Sequence, residues 1–138
     1  MASEDGAATD LRAFREAVES AGHSMYWTDL NGRIEYVNPA FEDQTGYPAD
    51  EAVGSNANIL QSGAHDDLFY ERLWDTILGG DVWEGEIINE RRSGERYVAA
   101  QTISPVTDES GAITRFVAVN EDITELRNYQ EQLERERD

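Results

Sequence analysis

The chain predicts an α+β domain built on an antiparallel sheet. Three observations carry this. Two short alternating segments, 24–29 and 33–37, flank an Asn31-Gly32 turn. A series of short helical pieces fills residues 38–78. Three longer alternating segments then follow, about 82–92, 95–106 and 112–121, joined by turns at Ser93-Gly94 and Asp108-Glu109-Ser110-Gly111. Strands before and after a block of helices lay down a sheet with the helices gathered on one face. At 138 residues the chain makes one domain with short appendages, and a chain of this size buries roughly two-thirds of its unfolded surface.

Residues 1–9 are small and acidic without periodicity, which predicts disorder. From Leu11 the apolar positions Leu11, Phe14, Val18, Ala21 and Met25 follow a helical stripe. The flanking helix is therefore expected over 10–22, with Thr9 or Asp10 as its cap, Gly22 as its end and an exposed His23 after it. Residues 24–29 and 33–37 form a hairpin, because Asn-Gly reaches positive φ cheaply. Asn38 breaks the second strand and caps a short helix with Pro39 at its first position, ending at Gly46. Residues 48–54 add one helical turn. Residues 55–64 are too polar and too short for core structure and read as a loop with a single turn. Residues 66–78 form the longest central helix, with Leu68, Phe69, Leu73, Trp74, Ile77 and Leu78 on one face and Gly79-Gly80 as its stop.

The three long strands close the domain. The gap between sheet and helices is the natural ligand site. After residue 121, Ile123, Leu126, Gln130, Leu133 and Arg137 repeat in a heptad seam that turns polar at two positions. Two readings stand: a helix docked on its own domain, or the start of a coiled-coil linker. The uncapped ending ERERD favours the linker.

Composition narrows function. With 11 basic and 29 acidic residues the net charge is −18, and every basic residue is arginine. Phosphates would be repelled, so direct nucleic-acid binding is not expected. The acidity suits either a halophile's surface, favoured also by the absence of lysine, or an acidic mesophilic domain. No cysteine is present, which removes disulfides, thiolate metal sites and cysteine nucleophiles. No apolar run reaches the ~20 residues of a membrane span, and the first ten residues lack a signal peptide's apolar stretch. A cytoplasmic domain without membrane contact is expected. No Ser-His-Asp pattern, phosphate loop or histidine-rich metal cluster stands out, so catalysis is not expected.

The motifs in order resemble the PAS family. They are Asp29…Asn31-Gly32-Arg33-Ile34…Tyr36-Val37-Asn38-Pro39-Ala40-Phe41, then Thr45-Gly46-Tyr47, Glu51…Gly54, Trp83-Glu84-Gly85-Glu86, Asn89…Arg91-Arg92…Gly94-Glu95, Ser104-Pro105-Val106…Asp108…Gly111, and Asp122-Ile123-Thr124-Glu125. The resemblance covers roughly residues 12–128. It implies a PAS fold: a five-stranded antiparallel sheet, short helices over one face, and flanking N- and C-terminal helices. The domain itself is set at 23–121, with 122–138 as a signalling helix. It further implies a sensory module of a signal-transduction protein. Its partners would be a second copy, paired through the flanking helices, and a downstream kinase, transducer or transcription regulator. The alternative is a ligand-free dimerisation or spacer module.

The segment 54–61 is similar to the signature of light-sensing LOV domains, in which the position of Ala57 is the flavin-bonding cysteine and that of Asn58 an arginine. With alanine there, no adduct forms. A thioester chromophore is excluded for want of a thiol, and helix 66–78 lacks a histidine for haem; His65 just before it is expected to cap the helix or face water. A noncovalent flavin remains, with FAD preferred over FMN only through the resemblance, and another small aromatic ligand or none as alternatives. An isoalloxazine needs a flat apolar slot and amides that both donate and accept. Counted by twos, Trp83, Gly85, Ile87 and Asn89 share a face. If that face is interior, Asn89 is a buried amide seeking a partner. The surroundings of Asn89 and of Trp74 are similar to the flavin-containing redox sensors of nitrogen-fixation regulators. Asn56, Asn58, Gln61 and Asn120 complete the candidate amides, and Trp83 the aromatic ones. Ala57 and Ala99 stand where that family and the LOV family place polar flavin contacts.

Overall fold

A computed structural model describes residues 12–17, 19–20 and 22–137. Five strands form one antiparallel sheet: β1 (Ser24–Thr28), β2 (Ile34–Val37), β3 (Trp83–Glu90), β4 (Arg96–Thr107) and β5 (Ile113–Asp122). Their spatial order is β2-β1-β5-β4-β3, so the N-terminal hairpin docks beside the last strand. Helices α1 (Pro39–Thr45), α2 (Ala49–Ala52) and α3 (Asp67–Leu78), with a 3₁₀ turn at Ala57–Leu60, lie between β2 and β3 in the chain. Helix α4 (Thr124–Arg137) follows β5.

The register assigns the faces. Ser24, Asn120, Gln101 and Gly85 stand opposite one another across β1, β5, β4 and β3, and Tyr26, Ala118, Ile103 and Trp83 form the next row. Alternation puts both rows on the face that the helices cover. The main core joins Tyr26, Ile34, Ile103, Phe116 and Ala118 of the sheet to Phe41, Ala52, Leu60, Leu73 and Ile77.

Local chemistry explains the short elements. Asp29 Oδ1 accepts the N–H groups of Asn31 (2.8 Å) and Arg33 (3.0 Å), and Gly32 alone takes the positive φ of that turn, at 86°. Asn38 is fully buried and ties the start of α1 to β1. Its Oδ1 accepts the Phe41 N–H that caps α1 and the Met25 N–H of β1, both at 2.9 Å, and its amide donates to the His23 carbonyl at 2.9 Å. Gly46 ends α1 in the left-handed conformation, φ 79°.

Several expectations change. Met25 does not end a helical stripe. It lies in β1, fully buried on the outer face of the sheet beside Val117, Trp27 and Tyr36. Residues 12–17 and 19–20 are helical, and Gly22 follows with φ 77°. They reach that outer face, because Tyr36 Oη donates to Glu19 at 2.7 Å and the Arg15 guanidinium sits 5.8 Å from the Tyr36 ring. Leu11, Val18, Ala21, the proposed caps and the stretch 1–9, for which disorder is expected, lie outside the described residues. His23 is half-buried rather than exposed. In α3, Leu68 and Leu78 point outward, 48% and 54% exposed. The inward stripe runs Tyr70-Leu73-Trp74-Ile77 instead, at the i, i+3, i+4, i+7 spacing of one helical face.

Helix α4 buries no residue, and Leu126, Tyr129 and Leu133 are exposed. It is anchored at its first turn. Ile123 N–H donates to Val98 O (2.8 Å), Val98 N–H donates to Thr124 Oγ1 (2.9 Å), and Arg127 pairs with Glu86. The helix therefore is not laid along its own domain. No helix among the described residues is long and apolar enough to cross a membrane.

Candidate functional site

Between the inner sheet face and the helices lies a cavity of about 360 Å³, within the ~300–1,000 Å³ usual for small-molecule sites. Its apolar walls come from Leu73, Ile77, Ile87, Ile103, Phe116 and Ala118. The Trp74 ring stands edge-on to Phe116 at 5.8 Å. Gly32 lets the β1–β2 turn approach closely: a Cβ there would lie 3.3 Å from Trp74 and 3.4 Å from Asn56.

Of the seven residues singled out in the sequence, Asn56, Asn58, Gln61, Trp74 and Asn89 all line this cavity. They come from three separate elements, and the fold alone brings them together. Trp83 and Asn120 do not line it. Trp83 folds back over Gly85, where a Cβ would lie 2.9 Å from its ring, and packs edge-on against Phe69 at 5.8 Å. Asn120 stands beside Gln101 in the same row of the sheet, its Oδ1 accepting from Gln101 Nε2 at 2.8 Å.

The amides differ in how far they are already engaged. Asn56 Oδ1 accepts Asn58 N–H (3.0 Å) and its Nδ2 donates to Asn31 O (3.1 Å), so this side chain caps the 3₁₀ turn and ties it to the hairpin. Asn89 is 3% exposed and hydrogen-bonded to the Tyr97 hydroxyl, directly opposite it in the β3–β4 register. Burial is the main force that pushes the Tyr97 phenol up to about 12, against the effect of Asn89.

Wall residues that the sequence reading did not single out include Tyr26, Tyr70 and Gln101. Gln101 is 3% exposed and donates to Asn120 and, at 3.4 Å, to Tyr26 Oη. The alternation Tyr97-Ala99-Gln101-Ile103 along β4 was a signal that could have found it. Ala57 also lines the cavity, whereas Ala99 is buried with Ile87 and Tyr97.

His65 neither caps α3 nor faces water. Asp66 is the cap, its Oδ1 accepting Phe69 N–H at 2.9 Å. The His65 ring is half-buried, stacks on Phe69 at 3.9 Å and accepts the Ile88 N–H through Nε2 at 2.8 Å. Ser62 donates to Ile88 O at 2.7 Å, and Gln61 bridges Asn89. The loop 61–65 thus seals the outer edge of β3, whose unpaired backbone would otherwise meet water. No group of three or more potential metal ligands occurs among the described residues.

On the far side of Asn89 the contacts run toward α4. The Arg91 guanidinium lies 4.3 Å from the centre of the Tyr97 ring and donates to Asp122 at 2.8 Å, to Glu95 at 2.6 Å and to Gln44 O. Asp122 Oδ1 accepts the Thr124 N–H (3.0 Å) and hydroxyl (2.6 Å). Burial opposes the Asp122 carboxylate, but the bonds from Thr124 and Arg91 outweigh it and hold its pKa below the usual range.

The model of the PAS fold matches residues 12–123, and the chain belongs to the PAS family. A nitrogen fixation regulatory protein of Klebsiella oxytoca is 34% identical over 111 residues, which is 80% of this chain and 22% of that protein. A bacterioopsin transcriptional activator of Halobacterium salinarum is 34% identical over 110 residues, 80% of this chain and 16% of the other. Among solved structures, an RNA-binding light-oxygen-voltage receptor superposes with a TM-score of 0.79 at 29% identity, covering 89% of this chain and 36% of that one. The chain thus spans about a fifth of the length of the curated relatives it matches.

Proposed function

We propose that this PAS domain is a noncovalent flavin sensor that relays the state of its pocket to an effector through α4. The observation that carries the reading is the convergence of Asn56, Asn58, Gln61, Trp74 and Asn89 on one cavity with apolar walls. FAD is favoured over FMN only through the resemblance drawn from the sequence motifs. The residues present fit the group. Leu73, Trp74, Ile77, Ile103 and Phe116 supply a slot for a flat ring, and Asn89, Gln61 and Gln101 supply amide groups at its rim. When bound, a flavin supplies two-electron redox chemistry and visible absorption. The chain's residues hold it, orient it and exclude water; with no cysteine they form no bond to it.

The relay we infer runs from Asn89 through Tyr97 and Arg91 to Asp122 and Thr124. Each step is a hydrogen bond or ring contact described above, and the last fixes the first turn of α4. A change in the partner of Asn89 would alter the placement of Arg91, and with it the angle at which the helix leaves the sheet. The effector is a kinase, a transducer or a transcription regulator on the same chain, and the exposed seam of α4 pairs two copies. We assign no catalysis, nucleic-acid binding or membrane contact to the domain, and place it in the cytoplasm. The charge of −18 without lysine supports a high-salt setting.

A ligand-free spacer is the competing reading, favoured by Asn56 and Gln101, whose amides already have protein partners. Absorbance of the purified chain separates the two. Bands near 450 nm, with flavin released on denaturation, support the sensor. A colourless protein that takes up neither FAD nor FMN rejects it. Asn89→Ala should lower flavin retention, and unchanged occupancy removes Asn89 as a contact.

A further inference from the structure

Four buried side-chain atoms among the described residues have no hydrogen-bond partner: Arg15 Nε, Ser24 Oγ, Gln44 Oε1 and Tyr70 Oη. Of these residues only Tyr70 lines the cavity. We propose that the Tyr70 hydroxyl is a ligand-reserved donor, which fixes a planar heterocycle through a hydrogen bond to a ring nitrogen or carbonyl oxygen. This rests on the flavin reading above and adds to it a residue at the β3 end of the site.

Position supports the assignment. Tyr70 opens the inward stripe of α3, one turn before Leu73 and Trp74, and its ring packs against Ile87, Tyr97 and Ala99. Asn89 and Gln61 line the same cavity and pair with each other through the backbone at the edge of β3. Tyr70 therefore shares with these two amides a cavity whose apolar walls come from Leu73, Ile77, Ile103 and Phe116. The ring of Tyr70 is held by Phe69, edge-on at 5.2 Å, and by His65, edge-on at 6.1 Å. Such packing fixes the direction of the C–O bond before any ligand arrives, which lowers the cost of ordering on binding.

Chemistry supports it as well. A tyrosine that only packed would lose nothing as phenylalanine, since buried phenol groups ordinarily find a partner. An unpaired buried hydroxyl destabilises the fold that carries it. A buried hydroxyl without a protein partner in a cavity wall is free to pair with a ligand acceptor. Burial raises the pKa of this phenol, so it stays protonated and able to donate throughout the neutral range.

The test compares the 138-residue chain with its Tyr70→Phe variant, using FAD and riboflavin as probes. Two quantities are read for each protein: the melting temperature without flavin, and the Kd for flavin with the visible spectrum of the complex. The expected result is an unchanged or higher melting temperature, a Kd weakened about tenfold, as for loss of one hydrogen bond, and a shifted visible band. A Kd within twofold of the parent and an unshifted band overturn the role of Tyr70 while the flavin reading stands. A lower melting temperature in Tyr70→Phe also overturns it, because the hydroxyl then supports the fold. If the parent chain binds neither probe, both the inference and the flavin reading fall.

Discussion

Arg91 Nη2 donates to Asp122 Oδ2 at 2.8 Å, and this ion pair joins the end of β3 to the point where β5 becomes α4. Both side chains are mostly buried, 22% and 29% exposed. The same guanidinium covers the Tyr97 ring, so one residue touches both the pocket's second layer and the start of the helix.

Replacing Arg91 by methionine keeps the stem and removes the charge. It leaves Asp122 part-buried without its partner, which costs about 1–3 kcal/mol. Amide exchange at residues 123–127 should accelerate roughly tenfold or more, while exchange in β1 stays near that of the parent. Equal acceleration everywhere would show a global loss of stability and no special tie to the helix.

A second expectation concerns pH. Nε2 of His65 accepts the Ile88 N–H only when the imidazole is neutral with its proton on Nδ1. Burial lowers the His65 pKa, and the neighbouring Asp66 only partly opposes this. A depressed histidine pKa contributes stability that is present above the unfolded value, about 6.5, and is lost as pH falls through the folded value. The loop 61–65 should therefore loosen from β3 in mild acid. Amide exchange of Ile88, corrected for its intrinsic pH dependence, should rise below pH 6, and His65→Gln should flatten that rise. A pH-independent Ile88 in the parent chain sinks the idea.

Gly85 tests the packing of Trp83. An alanine Cβ there would lie 2.9 Å from Trp83 Cζ2. Gly85→Ala should force the indole aside at about 1–3 kcal/mol, seen as a lower denaturation midpoint and a changed tryptophan emission. The double variant Gly85→Ala, Trp83→Leu should recover part of that loss.

The exposed seam of α4 makes a mass prediction. Deleting residues 126–138 spares the ties of Ile123 and Thr124 to Val98 and removes Leu126, Tyr129 and Leu133. Light scattering should show a dimer falling to a monomer. A monomer before and after ends the claim that this helix pairs.

Part of the cavity's lining was legible residue by residue. Asn89 was marked by its place on an alternating strand, and it is buried with a polar partner. Trp74 was marked by a resemblance, and it lines the cavity. Tyr70 was missed because Leu68, Phe69 and Leu78 offered a stripe as apolar as the real one, and spacing alone cannot choose between adjacent helix faces. Gln101 was missed because a polar residue in a strand reads as solvent-facing until the sheet is known to be covered.

The sequence by itself determined the order of elements, the cap at Asn38, the turns, and the exclusion of thiol chemistry. These depend on neighbours within a few residues, where propensity and hydrogen-bond chemistry act directly. Only the tertiary structure decided which side of each element faces the cavity, that Trp83 packs on Gly85, that Asn120 bonds Gln101 beside it, and that His65 holds the edge of β3. The last two depend on partners 19 and 23 residues away, Gln101 for Asn120 and Ile88 for His65, and such partners are set by the register of the whole sheet.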